Sequence, residues 1–293
     1  MSRLIALVMA LTLLFCTSCA GITAAAVLSN SPPPQPATVS SQQSEEPEIP
    51  DGSSASVEAS SEAEPYVRVI DPTMPMVALT FDDGPHETCS DLILDVLEEN
   101  HAVATFFEVG VNVWKYPQVL VREAELGCEI GSHSSFHHDL SKMDEDELLN
   151  DLYTVDLAFS AIGVPQPNLV RPPYGAVNDT VKTATGRSLV TWSIDTEDWL
   201  SLDAQKVISS VQNAGNLDGQ VVLMHSLYES TAEAVQVLVP WLQEQGYQLV
   251  TVTELLSYYY GQTPQPNTLY GYSLFTSHIR TDTPLEPPSR YDT

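Results

Sequence analysis

Two histidines four residues apart, His133 and His137, and two adjacent carboxylates, Asp82 and Asp83, have the types and spacing to do chemistry together. Residues i and i+4 share a face if their segment is helical, and paired imidazoles are a common start to a metal site. Alone, such a pair is common on surfaces and means little. A third ligand changes that. Asp83 supplies a carboxylate oxygen, and two nitrogens with one carboxylate suit Zn2+ while leaving positions open for water and substrate. The neighbouring acid then has a separate task. A divalent ion acidifies a water that attacks a carbonyl, and a carboxylate beside it can take the proton. The plainer reading of the two acids is a turn with both side chains solvated.

These groups follow short apolar runs. Strands are predicted over 76–81, 103–109, 129–131, 169–170, 189–194, 220–224 and 248–252, from β-branched and apolar runs bounded by turn residues. Helical spacing covers 90–100, 117–126, 144–162, 203–213 and 231–245, with stops at Gly127 and Gly246 and an Asp144/Glu147 start. Strands alternating with helices predict an α/β fold with a parallel sheet, open or closed into a barrel. In such folds the site lies at the carboxyl ends of the strands. Five polar stretches fall there: Thr80 to Pro85, His133 to His137, Arg171 to Gly175, Asp195 to Trp199, and Leu223 to His225.

In this order the five stretches resemble the motifs of the polysaccharide deacetylases, carbohydrate esterase family 4, the NodB-homology domain. The resemblance covers residues 66–260. It implies a distorted (β/α) barrel with about seven parallel strands as a single catalytic domain. It implies that Asp83, His133 and His137 bind a divalent metal, zinc first, with Co2+ and Ni2+ also suited. Asp82 would be the general base, held ionised by Arg171. The Tyr174 backbone N–H would help hold the oxyanion. His225 would protonate the leaving amine, with Asp198 orienting it. Trp199 and Leu223, with Tyr174, would line the pocket for the acetyl group. The position after His137, often Pro in relatives, is His138, which reads as a rim residue.

Composition sets the outer limits. With 11 Lys plus Arg against 39 Asp plus Glu, the net charge is −28, which repels phosphate backbones and excludes a general nucleic-acid binder. Residues 1–20 read as a signal peptide: Arg3, then an apolar run from Leu4 to Phe15, too short to span a bilayer. Cys19 after small residues resembles a bacterial lipoprotein signal, so lipidation there and attachment to the outer face of the cytoplasmic membrane are expected. Cys16 stands where Leu is usual, and ordinary secretion is the plainer alternative. Residues 21–65 are rich in Ser, Pro and Glu, without Lys or Arg, and read as a disordered tether. The catalytic domain is placed at 66–262. Residues 263–293 read as a tail that partly packs through Tyr270 and Phe275.

Cys89 and Cys128 are expected to stay unpaired, since a bridge needs Cα atoms within about 7 Å and the two fall toward opposite strand ends. Trp114, Tyr116 and Trp241 read as core, and Tyr258 to Tyr260 as closing a core. The function expected is removal of N-acetyl groups from an extracellular N-acetylglucosamine polymer, peptidoglycan first. The alternatives are an acetylxylan O-acetyl esterase and a non-catalytic glycan-binding module. The sequence fixes no oligomeric state.

Overall fold

The computed structural model describes residues 68–277. The signal-like segment, Cys19, the tether and the end of the tail lie outside them. In chain order the elements are β1 (Met76–Asp82), α1 (Cys89–Glu99), β2 (Thr105–Glu108), α2 (Gly110–Lys115), α3 (Pro117–Glu125), β3 (Glu129–Ser132), α4 (Glu145–Ile162), β4 (Leu169–Val170), α5 (Asp179–Ala184) and β5 (Ser188–Val190). They continue with β6 (Ile194–Asp195), α6 (Asp198–Ser201), α7 (Ala204–Gln212), β7 (Gln220–His225), α8 (Glu229–Glu244), β8 (Gln248–Leu249), α9 (Val252–Glu254), β9 (Leu269–Tyr270) and α10 (Tyr272–Ser277).

All strand pairs are parallel, in the order β6-β7-β1-β2-β3-β4-β5-β9, with β8 added against the start of β1. Val190 of β5 and Ile194 of β6 are four residues apart yet lie toward opposite ends of that order. Four residues reach about 14 Å at most, so the sheet curls into a distorted barrel. Among the described residues nine short strands form it, where the sequence predicts about seven. The predicted run 189–194 divides into β5 and β6, because the chain leaves β4 and crosses to β7. The tail contributes β9, which pairs with β5.

The pleat of β1 sorts the interior. All seven of its residues are buried. Val77, Leu79 and Phe81 join a cluster with Leu94, Phe106, Val207, Val235 and Leu238, between the sheet and helices α1, α7 and α8. Met76 and Ala78 join the opposite cluster with Phe107, Leu169, Val190, Val221 and Phe275. Period-2 alternation then sends Thr80 and Asp82 to that second, inner face. The apolar lower layers fill the curl, and its carboxyl end is left polar.

Local signals behave as their chemistry requires. Asp144 and Glu147 form a reciprocal capping box at the start of α4, and Gly163 ends that helix at φ 82°. Some expectations fail. Trp114 is 54% exposed, because Val113 is the α2 residue that faces the core. Tyr116 and Trp241 only flank the large cluster. Tyr259 and Tyr260 pack against the inner cluster, whereas Tyr258 is exposed. Tyr270 and Phe275 are buried, so the tail through Ser277 is integral to the curl. Cys89 and Cys128 are both free thiols.

Candidate active site

Asp82 is the last residue of β1 and points inward by alternation. Asp83 would point outward, but its φ of 71° breaks the pleat, and both acids line one cavity. Gly84 follows because a Cβ there would lie 2.8 Å from Glu108 Oε2. The two histidines share a site for a different reason than the sequence suggests. Residues 133–137 are a loop after β3, not a helix, with Ser134 at φ 66° and His137 at φ 57°.

Asp83 Oδ1 lies 3.4 Å from His133 Nε2 and 3.2 Å from His137 Nε2. The three donor atoms fall within 4.8 Å of one another. His133 Nδ1 is 2.6 Å from the Arg171 carbonyl oxygen. A carbonyl only accepts, so Nδ1 carries the proton and Nε2 presents its lone pair. Burial, partly offset by Asp82 and Asp83, lowers the His133 pKa and favours the neutral ring a metal needs. Asp83 Oδ1 is buried and receives no hydrogen bond. Lone pairs converging on an unsatisfied carboxylate oxygen fit a divalent cation. His138 stays outside this set: its N–H donates to Ser134 Oγ at 3.0 Å and its ring faces Phe136.

Beside the donor cluster, Arg171 is fully buried, and its Nη1 donates to Asp82 Oδ1 and Thr80 Oγ1, each at 2.8 Å. Its Nη2 donates to the Thr191 carbonyl at 3.1 Å, and its guanidinium lies 4.1 Å from the Phe107 ring centre. The pair therefore leaves Asp82 Oδ2 toward the histidine side, 3.7 Å from His133 Nε2. On the adjacent strand, His225 is the register partner of Asp82. His225 Nδ1 donates to Asp198 Oδ1 at 2.8 Å. Burial opposes the charged imidazole, but the hydrogen bond and charge of Asp198 outweigh it, helped by Asp82 and Asp83, and the His225 pKa is raised. Asp198 Oδ2 accepts from His225 N and Thr231 Oγ1.

These groups surround a cavity of about 410 Å³. Tyr174 reaches it from the turn after β4, at φ 62°, with its ring 4.8 Å from that of His137. Trp199 from α6 and Leu223 from β7 also line it. The structure thus brings Asp82, Asp83, His133, His137, Tyr174, Trp199, Leu223 and His225 onto one cavity, with Arg171 and Asp198 directly behind. Trp192, Asp195 and Tyr228 also line it, and sequence reasoning missed them. Trp192 fell inside a run read as unbroken strand, and Asp195 lay in a stretch read only for its later residues. Tyr228 and Thr231 carry no pattern that marks them.

A cavity at the carboxyl end of a curled parallel sheet, with a three-donor cluster and a supported His–Asp pair on aromatic and apolar walls, defines a barrel hydrolase site. The polysaccharide deacetylase family model matches residues 70–189. The peptidoglycan-N-acetylglucosamine deacetylase PgdA of Listeria monocytogenes is 40% identical over 195 residues, 66% of this chain and 41% of that protein. This chain therefore spans less than half the length of that relative. A peptidoglycan-N-acetylglucosamine deacetylase of Bacillus cereus is 37% identical over 192 residues, covering 62% of this chain and 89% of that protein. The structure of peptidoglycan deacetylase PdaC from Bacillus subtilis superposes with a TM-score of 0.63 at 36% identity, over 64% of this chain and 93% of that one. This chain belongs to the polysaccharide deacetylase family.

Proposed function

We propose that this chain is a metal-dependent hydrolase that removes N-acetyl groups from an N-acetylglucosamine-containing polysaccharide, peptidoglycan first, releasing acetate. The observation that carries the reading is one cavity shared by the Asp83–His133–His137 donors, the Arg171-bound Asp82 and the Asp198-bound His225. The names of the Listeria and Bacillus relatives support the substrate class.

A divalent cation held by Asp83, His133 and His137, zinc by its donor set, would supply Lewis acidity to the water and the carbonyl oxygen. Arg171 ties up Asp82 Oδ1, so Oδ2 is the atom that takes the proton as water oxygen bonds to the amide carbon. Asp198 holds Nδ1–H of His225, so Nε2–H is delivered to the amine nitrogen as the C–N bond breaks. Acetate and a free amine result. The Tyr174 N–H is proposed to share the oxyanion. Tyr174, Trp199 and Leu223, which line the cavity, would pack against the acetyl group.

The test is acetate release by the full chain from peptidoglycan, chitooligosaccharides and acetylxylan, before and after chelation. Metal-dependent release from peptidoglycan is expected. Release from acetylxylan alone makes the chain an O-acetyl esterase, and tight glycan binding with no acetate from any polymer makes it a binding module. We further propose export and lipidation at Cys19, which would hold the chain at the outer face of the cytoplasmic membrane. Cys19→Ala should move the protein from the membrane fraction to the medium, and retention on the membrane contradicts this.

A further inference from the structure

The loop that carries both histidines departs from relaxed backbone twice, at Ser134 and His137, each with a positive φ on a non-glycine residue. Such conformations persist only where their surroundings over-determine them. Backbone contacts supply part of the restraint. His133 N donates to the Glu108 carbonyl, and Gly110 N and Val111 N at the start of α2 donate to the Ser134 and Ser135 carbonyls. These bonds fix the first part of the loop from the β2–α2 side.

On the α4 side, the hydrogen bonds to the loop among the described residues come from one residue. Asp151, in the middle of α4, is 4% exposed. Its Oδ1 accepts the Ser135 N–H at 2.9 Å, and its Oδ2 accepts the Ser135 hydroxyl. No Lys, Arg or His pairs with this carboxylate among the described residues. A buried carboxylate without a cationic partner is costly unless its hydrogen bonds are well satisfied. Here the described donors are both on Ser135, midway between the two histidines. The contact is also close-packed: a Cβ at Gly110 would lie 3.2 Å from Ser135 Cα and 3.3 Å from Val155 on α4.

We infer that Asp151 is a positioning residue, which through Ser135 holds His133 and His137 in the geometry that lets their Nε2 atoms converge with Asp83. The inference rests on reading that cluster as a metal site. Asp151 touches neither the cation nor the substrate. Its work is to keep the loop in its left-handed turns when no ion is bound, so that the site is pre-formed. Residues that support the ligands from behind, as Asp151 does through Ser135, change metal affinity by about 10- to 100-fold when altered.

The experiment measures affinity of the full chain for Zn2+ by competition with a chromophoric chelator, and the visible absorption of the Co2+-substituted protein. Wild type is compared with Asp151→Asn and Ser135→Ala. Ser135→Ala removes one hydroxyl and keeps the N–H contact, so it reports even if Asp151→Asn fails to fold. The expected result is weaker Zn2+ binding, by about 10- to 100-fold for Asp151→Asn and less for Ser135→Ala, with altered Co2+ bands. Affinity and bands like those of wild type in the folded variants would overturn this inference alone. A wild-type chain that binds neither ion would overturn it together with the metal-site reading.

Discussion

Replacing Asp198 by Asn separates the acid's charge from its shape. Asp198 is fully buried and accepts four hydrogen bonds: from His225 Nδ1 at 2.8 Å, His225 N at 2.8 Å, Thr231 Oγ1 at 2.7 Å and Trp199 N at 3.0 Å. Asparagine keeps one acceptor oxygen and turns a donor toward the remaining partners. A hydrogen bond to a charged group contributes about 1.5–3 kcal/mol. Losing it from the His225 imidazolium corresponds to roughly 10- to 150-fold in kcat. The same energy is about one to two units of His225 pKa. The sign follows from the raised value: the proton-donating form is present below the His225 pKa and is lost as pH rises through it. The alkaline limb of kcat/KM should therefore move down by about one to two units in Asp198→Asn. The assay is acetate release from a chitooligosaccharide across pH at saturating metal, repeated with an activated acetyl ester. The ester's leaving group needs little protonation, so its loss should be smaller. A loss under about threefold with an unmoved limb, on the amide, would refute the role given to this pair.

Two further perturbations probe the scaffold. Glu108 and Glu123 are fully buried side by side, and among the described residues no third group donates to their carboxylates. Burial and mutual proximity push the Glu108 carboxyl well up, and burial pushes Glu123 up to about 8. The folded state therefore keeps a proton that the unfolded chain releases, and stability is lost as pH rises from the ordinary glutamate value toward 8. Glu123→Gln should gain Tm over wild type increasingly between pH 5 and pH 8, and a pH-independent difference would contradict this. Arg171→Met leaves Asp82 buried without its cation and should cost about 3–5 kcal/mol in denaturant unfolding. A cost under about 1 kcal/mol would show that the pair carries little.

Much of the site was legible because its chemistry sits where strands end. Asp82, Arg171 and His225 each end or follow a short apolar run read as a strand, and His133 follows the short 129–131 strand, so their convergence was implied by the parallel sheet. The geometry inside the loops was not legible. The i, i+4 spacing of His133 and His137 suggested a helix, but the chain turns at positive φ at Ser134 and His137, and the loop between them is bonded to α2 and α4, partners that no local pattern encodes. Thr191 to Ser193 continued a β-branched and aromatic run, so nothing local marked the crossing that divides β5 from β6. Trp114 shows the limit of counting aromatics as core: α2 has one turn facing inward, and Gly110 and Val113 fill it.

The proposed reaction gives two adjacent carboxylates different work, Asp83 holding the cation and Asp82 moving the proton. The most direct measurement is acetate release from peptidoglycan by Asp82→Asn carrying the same amount of bound Zn2+ as wild type. Full metal content with activity reduced by about 10²- to 10⁴-fold, the range for a lost general base, is expected. Near-wild-type release at equal metal content would contradict it.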